Sequence, residues 1–263
     1  MFKKELKSNL KSFILWTIVL IAVYLLVYLM YPSIIKSGNI EQIDEMMKLF
    51  PDEILKAFNM DISSLDSAYG WLKSEGFIFI LLITGCYASI MGSNILLKEE
   101  NDKTIEYISM LPISRTKILN SKVLASLFYI IGMIFFITIF NLVSLKISGP
   151  LDVKEFLLIS ITPLFSSIVF FFISLFVSMY THKTKKMLGF SLAIVFISYI
   201  LTTVASLSES VEFLKYASVF TLCDIRNVIM DKVIKFTSVL ACFIISLVLY
   251  LLAKNKYNKK ELI

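Results

Sequence analysis

The sequence predicts an all-α integral membrane protein with six transmembrane helices. Of its 263 residues, 57% are hydrophobic and 17% are charged, and the mean hydropathy is +0.80. Soluble domains carry about a quarter charged residues, so this composition excludes a water-soluble globule. Six stretches without Asp, Glu, Lys, Arg or His are long enough to cross roughly 30 Å of hydrocarbon as helices. These stretches are residues 13–32, 76–97, 123–145, 156–181, 187–208 and 236–253.

The six stretches are predicted to be helices because lipid offers the backbone no hydrogen-bond partner. The alternative in lipid is a closed β-barrel, whose strands alternate apolar and polar residues over short segments. These stretches do not alternate. The first stretch is too long for a signal-peptide core, and no small-residue cleavage pattern follows it, so we interpret it as a retained span.

A basic, amphipathic segment, residues 1–12, precedes the first span. Phe2, Leu6, Leu10 and Phe13 recur at helical spacing between four lysines. This pattern favours an N-terminal elbow helix that lies in the membrane interface. The alternative is an unstructured basic anchor that only sets the topology.

The connecting segments differ in basic content, which predicts their orientation. Four segments hold 16 of the 26 Lys and Arg residues in 52 positions, and three hold the other ten in 80. Basic residues resist translocation, so the first set is predicted to be cytoplasmic, with both termini inside a bacterial cytoplasmic membrane. The pI near 9.0 then reflects topology and not nucleic-acid binding. The first set is 1–12, 98–122, 182–186 and 254–263, and the second is 33–75, 146–155 and 209–235.

Two outer segments carry enough apolar residues to predict local structure. In the outer loop 33–75, residues 50–58 read as a short helix with Pro51 in its first turn. The segment 209–235 is too apolar for a solvated loop, so we expect one or two short helices that dip partway into the outer leaflet. No repeat or low-complexity linker is visible, which predicts a single transmembrane domain over residues 1–263.

The spans lack the residues that catalysis would need. None contains Asp, Glu, Lys or Arg, and the one histidine, His182, follows the fourth span beside lysines. A protease would lack its base or metal ligands, and a proton-coupled carrier would lack its relay. No GxxxxGK[ST] motif is present to bind ATP. We therefore expect no catalytic residue, no metal site and no cofactor in this chain, and any driving energy must come from elsewhere.

The cytoplasmic connection 98–122 is the most informative segment. Residues 102–111 can form two helical turns with an apolar side, and Pro112 then ends the helix. Ser114 can cap the next helix, which runs into the third span. A short transverse helix between two spans is suited to transmit force from a cytoplasmic partner.

This connection resembles the segment E-x-x-x-G-T-I-E-x-L-L-x-x-P-I-S-R-x-x-I-x-x-x-K of ABC-2 type exporter permeases. Lys103 departs from it, because many relatives carry Gly before the Thr. The resemblance extends over essentially the whole chain, from the basic elbow through six spans to the tail 257–262. It implies an ABC-2 exporter fold in which Thr104 to Leu111 is a coupling helix. The coupling residues it implies are Glu99, Glu100, Thr104, Ile105, Glu106, Tyr107, Leu111, Pro112, Ser114 and Arg115.

The resemblance also implies partners. The coupling helix would dock in a groove of a separate nucleotide-binding ABC ATPase subunit, which would hold the ATP and Mg²⁺. Such permeases pair with a second copy or a homologous permease in the lipid bilayer and move hydrophobic or amphipathic cargo.

Small and hydroxyl residues form stripes on three spans. They would either line a translocation path or let the helices pack closely, and close packing is the commoner explanation. Pro163 is predicted to bend the fourth span. The stripe residues are Gly85, Ser89 and Ser93 on the second span, Ser167 and Ser174 on the fourth, and Ser191, Ser198 and Thr202 on the fifth.

The function expected from this sequence is that of a permease subunit that forms the translocation path of an ATP-driven exporter. One alternative is a non-transporting sensor or immunity protein that binds an antimicrobial peptide or drug. A passive channel is a second alternative, disfavoured because no charged ring or carbonyl filter motif occurs.

Overall fold

A computed structural model describes residues 1–36, 49, 67–102, 104, 112–149, 151–181, 183–207, 209–223, 228–229 and 232–260. Within these ranges six helices are long and apolar enough to cross a membrane, which confirms the predicted all-α membrane fold. The predicted helix over 50–58, His182 and residues 105–111 lie outside the described residues. The six helices are α1 (Phe2–Lys36), α2 (Phe77–Asn101), α3 (Arg115–Ser148), α4 (Val153–Ser178), α5 (Thr184–Ala205) and α6 (Phe236–Lys259).

The helices continue past the charge-free stretches at one end of the bundle. There α2 runs on to Asn101, α3 already begins at Arg115, and α6 continues to Lys259. Lys, Arg and Glu are good helix formers, so the helices continue into the charged segments. We call the end at which α1, α3 and α5 begin and α2, α4 and α6 end the basic end.

The N-terminal segment differs from the prediction of an elbow. Residues from Phe2 onward are continuous with the first span in a single 35-residue helix, so the elbow is not a separate helix in this structure. The segment contains no proline or glycine that would interrupt the helix. The amphipathic pattern correctly indicated a helix, but it does not require that this helix end before Phe13.

The centre of the bundle is the contact between α2 and α4. A Cβ atom at Gly92 of α2 would lie 2.2 Å from the backbone oxygen of Phe171 in α4, so only glycine permits this approach. One side of α2 also packs on α5, where Gly85 faces Val195. Helix α4 continues through Pro163 to Ser178. The two central helices are therefore in backbone contact near the basic end.

Helices α1 and α6 lie at the periphery. α1 packs mainly on α3, where the Phe13 and Tyr129 rings are 4.9 Å apart and the Tyr129 hydroxyl donates to the Leu6 carbonyl at 2.5 Å. α6 packs mainly on α4 and leaves most of its apolar surface exposed. These exposed apolar faces are what a helix presents to lipid.

The segment after α5 folds back onto the bundle as two 3₁₀ helices, Glu209–Ala217 and Phe220–Cys223. The sequence predicted one or two short helices here. Ser218, between them, donates to the Ser198 carbonyl at 2.7 Å and lies 2.6 Å from the Thr202 hydroxyl. The Phe220 ring is buried with its centroid 5.0 Å from that of Phe170. The segment is therefore bonded to α5 and packed against α4.

Candidate functional site

Ionised side chains that are buried together mark the basic end of the bundle. Lys122 lies on the inner face of α3 and is only 3% exposed. Ile118, Leu119 and Ser126 on the same face are buried as well. A lysine is almost never buried this deeply unless its charge is paired. The partners of Lys122 therefore define the site.

The Lys122 ammonium group has three oxygen partners from two other helices. Its Nζ atom lies 2.6 Å from Glu99 Oε1 and 3.2 Å from Glu5 Oε1. It also donates to the Ile95 carbonyl at 3.0 Å. An ammonium group has three N–H donors, so these partners match its capacity. Lys122 Nζ therefore joins the first turn of α1, the last turns of α2 and the start of α3.

A second ion pair attaches the end of α6 to the same region. Glu100 and Lys260 are each 5% exposed and lie 2.8 Å apart, and Lys260 Nζ also donates to the Thr181 carbonyl at 3.4 Å. Arg115 donates to the backbone carbonyl of Lys260 at 2.8 Å and to that of Asn258 at 3.4 Å. We call the six side chains that form these contacts the basic-end clamp. They are Glu5, Glu99, Glu100, Arg115, Lys122 and Lys260.

A polar cleft of about 250 Å³ opens beside the clamp, between the start of α1 and the end of α2. Lys4, Asn94 and Lys98 line it, and so does Thr104, whose N–H donates to the Glu99 carbonyl at 2.9 Å. The connection between α2 and α3 therefore leaves from the rim of this cleft.

The other end of that connection is fixed by a helix cap. The Ser114 hydroxyl accepts a hydrogen bond from the Lys117 N–H at 3.4 Å, so Ser114 is the N-cap of α3, as the sequence predicted. Pro112 is exposed two residues earlier. The connection is thus anchored by α2 at one end and by α3 at the other.

The structure brings only some of the predicted coupling residues together. Glu99, Glu100 and Arg115 make contacts within the chain, in the clamp, whereas Thr104 and Pro112 flank the connection. The remaining predicted coupling residues are outside the described part of the chain: Ile105, Glu106, Tyr107 and Leu111.

The sequence analysis predicted no contact for three members of the clamp, Glu5, Lys122 and Lys260. Glu5 was given no role there, and Lys260 was used only as a basic residue of the topology count and of the tail 257–262. Lys122 carried a recognisable signal, because it lies four residues after Ile118 and four before Ser126, on the face that is buried. A lysine on the inner face of a helix indicates a buried ion pair, but it does not identify the partner.

The serine stripes meet where α2, α4 and α5 pack. The Ser89 and Ser174 hydroxyls are 2.6 Å apart, and the Ser191 hydroxyl donates to the Ser89 carbonyl at 3.3 Å. Ser167 donates to the Thr84 hydroxyl at 3.2 Å. Ser93 bonds back to the Ile90 carbonyl of its own helix at 2.9 Å. These hydroxyls thus bond within the chain in this structure.

A second ionic cluster lies at the opposite end of the bundle. Glu155 is 8% exposed and pairs with Lys73 at 2.9 Å and with Lys232 at 3.4 Å. The Tyr69 hydroxyl donates to the same carboxylate at 3.3 Å. Burial, and then the nearby Glu155 charge, raise the pKa of Tyr69 well above its ordinary value, so it stays a donor. The cluster joins the connections that precede α2 and α6 to the first turn of α4.

Neither cluster has the composition of a metal site. Among the described residues, no group of three or more His, Cys, Asp or Glu side chains is placed to hold a metal ion. Each carboxylate in the two clusters is instead paired with lysine. Pairing of this kind fixes helices relative to one another and leaves no free ligand set.

Comparison with protein families agrees with the geometry. The family described as ABC-2 family transporter protein matches residues 1–262, almost the entire chain. No curated protein and no solved structure gives a significant match. The match covers all six membrane-spanning helices and both ionic clusters. The chain is therefore a multi-pass membrane protein that belongs to the ABC-2 transporter family.

Proposed function

We propose that the chain is the permease subunit of an ATP-driven exporter in a bacterial cytoplasmic membrane. A separate ABC ATPase subunit binds ATP and Mg²⁺ and docks at the basic end, which faces the cytoplasm. A second permease, identical or homologous, completes the transporter. Family membership supports the permease role, and the excess of Lys and Arg at this end supports the orientation.

The basic-end clamp is the observation that carries this proposal. The connection between α2 and α3 is anchored at both ends, by Glu99 through Lys122 and by Ser114 as a cap. Lys122 extends the anchor to α1 through Glu5, and Glu100 extends it to the end of α6 through Lys260. A force applied to residues 104–111 would therefore act on four helices, α1, α2, α3 and α6.

Force that reaches α2 is also passed to the centre of the bundle. Gly92 holds α2 against the backbone of α4, and two close-packed helices without an intervening side chain move together. In our proposal, closure of the ATPases on ATP displaces the α2–α3 connection. The central pair of helices transmits that displacement toward the opposite end.

Co-purification tests the predicted partner. The full chain, tagged at its C-terminus, is extracted from native membranes in mild detergent, and bound proteins are identified by mass spectrometry together with ATP turnover. We expect a P-loop ATPase that is lost in a Glu106→Ala, Arg115→Ala double variant. Lys146→Ala, at the opposite end, is the matched control and retains it. Absence of an ATPase from wild-type preparations in several detergents would contradict the proposal.

Transport measurements test the coupling residues. We expect Glu106→Ala, Pro112→Ala and Arg115→Ala to reduce ATP-dependent substrate efflux while membrane insertion stays normal. The reason is that Glu106 and Pro112 lie in the connection on which the ATPase acts, and Arg115 joins the start of α3 to the end of α6. The apolar parts of the spans are unchanged. Unchanged efflux in all three variants would refute the coupling assignment. Conductance in liposomes without any ATPase would indicate a channel instead.

A further inference from the structure

An apolar groove runs along α6 and is separate from the sites described above. It has a volume of about 320 Å³ and lies between α6, α4 and α3. Phe165 and Phe172 of α4 and Leu127 of α3 form its inner wall. Phe243 and Leu247 of α6 lie at the rim and are 64% and 44% exposed. The groove therefore communicates with the surroundings of the bundle, which in a membrane are lipid.

We propose that this groove binds one acyl chain of an anionic phospholipid, with the headgroup held at the basic end. The proposal does not depend on which substrate the transporter moves. It rests on the shape of the groove, on the polarity of its wall and on the charges at its basic end.

The shape of the groove suits a single hydrocarbon chain. Its lining on α6 extends from Val239 to Tyr250, which is about 16 Å along a helix axis. A groove of about 320 Å³ over that length is narrower than a helix, which is about 10 Å wide with its side chains. A helix of a second chain would therefore cover the groove without filling it, whereas an extended acyl chain can enter it.

The wall of the groove is apolar apart from Ser246 and the polar tips of Cys242 and Tyr250. Ser246 is 5% exposed, and its hydroxyl has no hydrogen-bond partner among the described residues. Ligand sites likewise have predominantly apolar walls, and an apolar wall suits a hydrocarbon chain. The volume also lies in the range of such sites, which begins at about 300 Å³.

The charge at the basic end of the groove selects the headgroup. The Tyr250 hydroxyl donates to Asn120 Oδ1 at 2.5 Å and joins α6 to α3 at this point. One turn nearer the basic end, α6 carries Lys254 and α3 carries the exposed Lys117. Neither α3 nor α6 contains Asp or Glu, and the one acidic residue of α4, Glu155, lies at the opposite end. The carboxylates of α2 at this end, Glu99 and Glu100, are paired with Lys122 and Lys260. Lys117 and Lys254 therefore favour a phosphate at the membrane surface.

Lipid binding to the full chain tests the headgroup preference. The chain is purified in mild detergent, stripped of lipid, and titrated with phosphatidylglycerol or phosphatidylcholine of identical acyl chains while bound lipid is counted by native mass spectrometry. We expect tighter binding of phosphatidylglycerol. Lys117→Gln and Lys254→Gln each reduce that preference about fivefold, since a lysine near the surface contributes about 1 kcal/mol to anionic lipid binding. Lys259→Gln, on the same helix but outside the groove, leaves it unchanged.

A second pair of variants tests the groove itself. Ser246→Phe fills the groove and is expected to reduce binding of both lipids. Val248→Phe places the same side chain at a half-exposed position outside the lining and has no effect. Equal binding of the two lipids by wild type, or unchanged binding in Ser246→Phe, would overturn the proposal. It would also be overturned if Ser246→Phe converted a dimer to a monomer, because a second copy would then occupy the groove.

Discussion

Lys122 shows how a single buried charge organises the basic end. Its ammonium group is almost fully enclosed and is shared by the Glu5 and Glu99 carboxylates, which are themselves 12% exposed. Such a site contributes little net stability when complete, because removing three charges from water is costly. It is strongly destabilising when incomplete, because the remaining charges stay buried. Lys122 therefore specifies how α1, α2 and α3 fit together.

Replacement of Lys122 tests this role. We expect Lys122→Met to lower the free energy of unfolding by about 3–5 kcal/mol, because two carboxylates then lose their buried partner. Adding Glu99→Gln should recover part of that loss. Lys117→Met removes an exposed lysine of the same helix and should change stability by no more than about 0.5 kcal/mol. Reversible unfolding in mixed micelles measures all three. Wild-type stability of Lys122→Met would show that the clamp is not structurally important.

The contact between α2 and α4 determines how the helices of the bundle are arranged. Membrane helices gain little from apolar burial alone, so they associate through close packing and hydrogen bonds. Gly92 supplies the close packing, and the Ser89–Ser174 pair supplies a hydrogen bond about one turn away along α2. The same two features leave no room for a polar path between α2 and α4 at this point, because they bring the helices into direct contact.

The close approach at Gly92 can be tested with two alanine variants. Gly92→Ala forces α2 and α4 apart, because the neighbour of the new Cβ atom is backbone, and should cost about 1–3 kcal/mol. Gly189→Ala in α5 meets nothing within 4 Å and should be neutral or stabilising by up to about 1 kcal/mol. Thermal denaturation followed by size-exclusion chromatography compares them. Equal melting temperatures for the two variants would contradict the packing described for α2 and α4.

For the whole molecule, the charge distribution predicts the orientation. In our proposal, the end with Lys259 faces the cytoplasm and Lys146, at the far end of α3, faces outward. The native cysteines Cys86, Cys223 and Cys242 are buried, so they give little background labelling. With a membrane-impermeant maleimide on intact cells, Lys146→Cys should be labelled and Lys259→Cys should react only after permeabilisation. The reverse labelling pattern would show that the topology is inverted and that the clamp lies outside the cell.

The sequence is sufficient for the fold and for only part of the site. Charge-free stretches identify six spans because hydrocarbon excludes charge over a fixed thickness, and Ser114 is recognisable as a cap because capping is local. The pairing of Lys122 with Glu5 is not recognisable, because the two residues lie on different helices and no local pattern connects them. The continuity of α1 was missed because an amphipathic segment continues a helix as readily as it forms a separate one. The role of the α2–α3 connection stays a prediction.

The segment that follows α5 is attached to its two neighbours by bonds of different kinds. Ser218 is tethered to Ser198 and Thr202 of α5 by directional hydrogen bonds, whereas Phe220 meets Phe170 of α4 through ring contact alone. Directional bonds break when their geometry shifts by about an ångström, whereas apolar surfaces slide past one another. If α5 were displaced, this segment would therefore move with it. The Phe220 ring would then slide against Phe170 of α4.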